Sequence, residues 1–170
     1  MPDSESSAGG SVHASANDPE ALTRTLHENL NEMMAVLTQV VADGLDARLD
    51  DDEWSVREVL LHVIHAERWI QPQLSELRWA VSERPPPLIG GITLPDHESD
   101  PDLNELRWAI NAVRDDTVRL LDGLTAEELR EPANVEVADD IIDFSFRTML
   151  LTVADHQLFH VRQIERILEQ

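Results

Sequence analysis

The 170-residue chain contains no cysteine. Disulfides, thiolate metal sites and cysteine nucleophiles are therefore excluded, and any metal must be held by His, Asp or Glu. Lysine is missing too, so all 13 basic residues are Arg, set against 34 acids for a formal charge of −21. A surface of that sign repels phosphate backbones and anionic lipids, which makes nucleic acid and membranes poor partners. The acidity fits either adaptation to high salt or a GC-rich genome, and missing Lys fits both. Long apolar runs are lacking: none approaches the roughly 18 residues of a spanning helix. The first residues show no basic segment followed by an apolar one, so no signal peptide is expected and the expected location is cytoplasmic.

What is present is ordinary for a soluble globular protein. Apolar residues make up 42% and charged residues 28%, and the length suits one domain with a real core. Residues 1–17, "MPDSESSAGGSVHASAN", are small and polar and read as a disordered tail. Residues 18–170 read as one folded domain. Asp18-Pro19-Glu20 is a helix start, and Leu22, Leu26, Leu30, Met33, Leu37 and Val40 continue at helical steps toward Gly44. This predicts a first helix over about 19–43. Ser55-Val-Arg-Glu58 is a capping box, and the apolar period after it predicts a second helix to about 82, kinked by Pro72 near residues 68–71. "RPPPLIGGITLPDHESDP" is a long irregular connection that could cross the bundle or overhang a site. Asp100-Pro101 starts a third helix running to Asp122, with Gly123 as its cap. Thr125 to Glu128 is another capping box for one short turn, 131–140 reads as a polar loop, and a fourth helix is expected over about 143–169. No period-2 strand stands out. Four amphipathic helices predict an all-α four-helix bundle.

The chemistry-bearing residues are histidines. "DHQLFHVRQIERIL" places His156 and His160 four apart, roughly 40° from each other on one helix face, so both rings can reach one cation. In the similar pair of metalloproteases a Glu stands after the first His; here it is Gln157, which cannot take a proton from water. Only ten residues follow His160, so a third ligand must come from upstream. His62 and His65 lie on the second helix, about 80° and about 140° from the centre of its apolar stripe. His62 is preferred, as a core-boundary residue; His65 is expected to face solvent or to support the site. Packed or solvated histidines without metal remain the bland alternative. His13, His27 and His97 carry no site pattern, and Glu67 is expected to be a solvated charge or a supporting group.

"EWSVREVLLHVIHAERW" and "DHQLFHVRQIERIL" together resemble the signature motifs of the DinB-like superfamily, in its order and over about residues 19–169. The resemblance implies a four-helix bundle with a divalent metal, zinc or nickel, held by His62, His156 and His160. Gln163 matches the family's Gln, while Arg162 stands where the family has a small residue. A homodimer and a small-molecule substrate are also implied. Related proteins include bacillithiol S-transferases, mycothiol-dependent isomerases and metal-dependent hydrolases. The expected function is thus a metal-dependent S-transferase in which a low-molecular-weight thiol attacks a small electrophile. The alternatives are a hydrolase of small esters or amides, a metal-stabilised binding or stress-response module without turnover, and a metal-free bundle. A thiol cofactor carrying carboxylates needs cations nearby. Arg68, Arg162 and Arg166 are the candidates, unless they are surface ion-pair partners. Trp69, Trp79 and Trp108 are expected in the core or lining an apolar pocket.

Overall fold

A computed structural model describes residues 18–81, 100–137 and 140–170 of the chain. Four long helices account for most of them: α1 (Pro19–Leu37), α2 (Val56–Val81), α3 (Leu103–Leu121) and α4 (Phe146–Leu168). Among the described residues no helix is long and apolar enough to cross a membrane. The predicted tail and residues 84–99 of the long connection lie outside the described residues, as do His13 and His97.

Cross-helix bonds fix the directions. Arg57 donates to the Pro101 carbonyl, Gln71 to Val113 and Arg78 to Leu120, so α2 and α3 run parallel. Asn29 donates to Ala154, and Arg162 pairs with Glu32, so α1 and α4 run parallel as well. Arg107 and Asn111 of α3 reach Leu37 and Met34 of α1, which sets those two helices antiparallel. The order is up-down-down-up. The end of α2 and the start of α3 therefore lie at opposite ends of the bundle.

Local chemistry accounts for the helix ends. Asp18 accepts from the Glu20 amide, as its position before Pro19 predicts. α1 stops at Leu37, six residues short of expectation, and the chain continues into a 3-10 turn, Ala42–Asp46. The Leu37 carbonyl, near that end, accepts from the Val40 amide at 3.3 Å and also from Arg107 of α3, a partner no local pattern announces. The Ser55 and Glu58 box forms in both directions. Helix α2 is continuous through Pro72. α3 is capped by Asp102, not Asp100. Asp102 accepts from the Asn104 and Glu105 amides at 2.8 and 2.9 Å, and the Glu105 carboxylate accepts from the Asp102 amide. Asp102→Ala is expected to lower stability by about 1 kcal/mol, read as a lower urea midpoint at unchanged slope. Gly123 sits at φ 83°, the left-handed conformation that follows many helices. Thr125 and Glu128 form their box around a single 3-10 turn.

The expected polar loop at 131–140 is instead half of a β-hairpin. β1 (Pro132–Val137) pairs antiparallel with β2 (Asp140–Ser145), Val135 opposite Ile142. Strand formers were present in "NVEV" and "IIDF", but the two residues between the strands include neither Gly nor Asn, so no turn signal marked a hairpin. The hairpin takes up the residues expected to open the fourth helix, and α4 begins only after Ser145, whose hydroxyl caps the Thr148 amide.

The interior is two apolar clusters. One joins Val59, Val63 and Ile64 of α2 to Ile110, Val161 and Ile164; the other joins Ile70 and Leu74 to Leu120, Met149 and Leu150. Between them lies a layer of buried polar side chains, Asn29, Glu67, Gln71, Arg114, Thr117 and Gln157. The site lies beside this layer.

Candidate metal centre

Helices α2 and α4 are neighbours running in opposite directions, and each presents histidines at the same height. His62 sits two turns into α2; His156 and His160 are one turn apart on α4. The His62 and His156 Nε2 atoms are 3.0 Å apart, and so are those of His156 and His160. One ring nitrogen from each lies within 4.8 Å of the others. His160 is buried, and the other two are half-buried.

Proton accounting says what this cluster wants. The Nδ1–H of His160 donates to Gln163 Oε1 at 2.8 Å, so a neutral His160 carries a lone pair on Nε2. The single Nε2 of His156 faces the Nε2 atoms of both neighbours. One N–H can satisfy one such contact and not both. A cation at the centre satisfies all three. Two nitrogens bound at about 2.0–2.1 Å to one ion lie about 2.8–3.4 Å apart in right-angled or tetrahedral arrangements. The observed spacings fall in that range, so the residues fit a divalent ion. An all-imidazole donor set suits zinc, nickel and their neighbours over magnesium or calcium.

The electrostatics favour the same state. Burial pushes the His156 imidazole down to about 4, helped by His160 and His62. Burial also lowers His62, with His65 adding to it, and His160, where the Gln163 bond acts in the opposite direction. All three rings are held neutral, as ligands must be. In the metal-free protein this depression has a definite sign. Unfolding lets His156 take up a proton between its ordinary 6.5 and about 4, so its contribution to stability is lost as pH falls through that window. The expected result is a urea midpoint that falls less steeply on acidification in His156→Gln than in the wild type.

The predicted triad is thus brought together, with Gln163 behind it. His65 is exposed and touches His62 by charge alone. Arg162 turns away to Glu32 and Glu165. Arg68 is half-buried beside Asp116 on α3, and Arg166 is exposed. Among the described residues, the charges acting on the three imidazoles come from other histidines. Glu67 is not a solvated charge: it is 2% exposed and paired with Arg114 at 3.0 Å. Its helix face points inward, where a partner from α3 makes burial tolerable. Trp69, Trp79 and Trp108 are not core residues; they are 50%, 64% and 59% exposed, off the buried stripes of α2 and α3.

Sequence reasoning missed Trp54. Its ring lies 4.7 Å from His62 and 6.2 Å from His160, nearly parallel to the latter, and Phe159 meets His160 edge-on at 5.2 Å. Both aromatics are partly exposed, so they give the site an apolar flank. In the sequence, Trp54 belongs to the motif that resembles the superfamily's, but only as the residue before a helix cap, with no role at the site.

The fold is thus a four-helix bundle in which three imidazoles that could hold a metal ion converge on one helix pair. A model of the DinB superfamily matches residues 25–164, and the chain belongs to that superfamily. Among solved structures, a DinB-like protein of Bacillus subtilis, YjoA, is similar at 14% identity with a TM-score of 0.61, over 88% of this chain and 90% of that one. That likeness concerns the fold. No curated protein matches the chain.

Proposed function

We propose that His62, His156 and His160 hold one divalent ion, zinc or nickel, and that the centre serves a metal-dependent transfer of a small thiol to a small electrophile. The observation that carries the metal reading is the pair of 3.0 Å Nε2 contacts around His156, which no arrangement of protons satisfies. A divalent ion supplies Lewis acidity, lowering the pKa of a thiol or water at its open position. The chain supplies the rest. Gln163 keeps the His160 proton on Nδ1, burial keeps all three rings neutral, and Trp54 and Phe159 offer a flat apolar surface to a substrate.

Hydrolysis is the second reading, and one observation favours it. Arg162 is engaged by Glu32 and Glu165 and Arg68 lies beside Asp116, and among the described residues no arginine charge acts on the three imidazoles to receive a carboxylate-bearing thiol. A neutral nucleophile such as water needs none. The two readings separate in one assay series. Metal-loaded protein is given a chlorodinitroaromatic with a panel of low-molecular-weight thiols, and separately small esters and amides, with chelator-treated protein as control. Metal-dependent thioether formation supports the transferase and metal-dependent hydrolysis the second reading. Bound metal with neither product sinks both in favour of a binding module.

A further inference from the structure

The buried layer between the two apolar clusters contains an ion pair that the metal site does not use. Arg114 of α3 is fully buried, and a single nitrogen, Nη2, makes both of its bonds to other helices. It donates to Glu67 Oε2 on α2 at 3.0 Å and to Gln157 Oε1 on α4. Its Nε and Nη1 have no hydrogen-bond partner among the described residues. The two bonds through Nη2 are therefore what the guanidinium contributes.

Those two bonds join the same helices that carry the histidines. Glu67 follows His62 by five residues, about 7.5 Å along α2. Gln157 directly follows His156 and precedes His160 by three residues. The position that holds a catalytic Glu in His-Glu-x-x-His helices is here turned into the core and bonded to an arginine. Apolar packing on either side tolerates small axial slips of one helix along another. A directional, charge-assisted bond does not, because a slip leaves buried charges unpaired. The Nε2 spacing across α2 and α4 needs control of about 0.5 Å to serve one ion.

We propose that Arg114 is a positioning residue for the three-histidine centre: by bridging Glu67 and Gln157 through one nitrogen, it sets the height of α4 against α2 and so the distance from His62 to His156. This rests on the metal reading above, and the test separates the two.

Cobalt(II) is the probe, titrated into metal-free wild type, Gln157→Leu, Gln157→Glu and the apolar double variant Glu67→Leu/Arg114→Met. Gln157→Leu removes the acceptor. It is expected to weaken cobalt binding about 10- to 100-fold and to alter the visible d–d band of the bound ion. Gln157→Glu keeps an oxygen facing the guanidinium and restores both. The double variant replaces the ion pair by apolar groups and leaves only the neutral Gln157 amide unpartnered, so it recovers most of the urea midpoint lost in Arg114→Met while losing affinity like Gln157→Leu. Unchanged affinity and band in Gln157→Leu and in the double variant overturn the proposal. If the wild type itself takes up no cobalt, the metal reading fails. The positioning is then read from the imidazole nitrogen resonances of metal-free protein. His62 and His156 shift in Gln157→Leu and return in Gln157→Glu; resonances that do not move overturn the proposal.

Discussion

Arg114→Met is expected to destabilise the fold by about 3–5 kcal/mol, several times the loss expected from removing the Asp102 cap. The size comes from what is left behind. Arg114 is fully buried and Glu67 nearly so, and removing the cation strands a carboxylate away from water. Burial already pushes the Glu67 carboxyl up, opposed by the Arg114 charge. Without Arg114 the upward push is less opposed, and the carboxyl takes a proton. Folding then favours the protonated acid. That contribution is complete below the ordinary 4.5 and is lost as pH rises through the folded value. The loss in Arg114→Met, measured as the difference in urea midpoint from the wild type, should therefore grow from pH 5 to pH 8. Adding Glu67→Leu should recover most of it, since a buried pair replaced on both sides is often neutral. A flat pH dependence, or a double variant as unstable as the single, contradicts the account.

His156→Ala is expected to take bound metal from about one equivalent per chain to near zero. His156 is the central member of the cluster: its Nε2 is 3.0 Å from both neighbours. Its removal leaves His62 and His160 without the ring that bridges them, and two imidazoles make an incomplete site. Elemental analysis after reloading and gel filtration reads the stoichiometry. Thermal unfolding gives a second reading, because an ion that binds the folded state raises the midpoint of the wild type and not of the variant. Full stoichiometry in His156→Ala removes that residue from the ligand set. A wild type that holds no metal after reloading ends the metal reading altogether.

Local physics made some of this readable from the chain. Apolar residues at three- and four-residue steps reported four helices because each buries one stripe. Asp18, Ser55 and Thr125 reported helix starts because a cap acts on amides two or three residues away. His156 and His160 reported a shared face because helical geometry puts i and i+4 side by side. His62 over His65 followed from the stripe beside it, and the motif pair pointed to the superfamily that the family match shows. The hairpin at 132–145 was not readable, since its strands are short and each is stabilised by the other.

The sequence by itself thus determined the helices, their inward faces and the residues able to ligate. Only the tertiary structure decided what those faces meet. It brought His62 to within 3.0 Å of His156 across 94 positions of chain. It placed Trp54 against the rings and turned Arg162 away to acids on two helices. It also made Glu67, on its sequence a charge for solvent, the buried partner of Arg114. Periodicity fixes the direction a side chain takes from its own helix axis. Pairing depends on the height and rotation of the neighbouring helix, which close packing sets and no local spacing encodes.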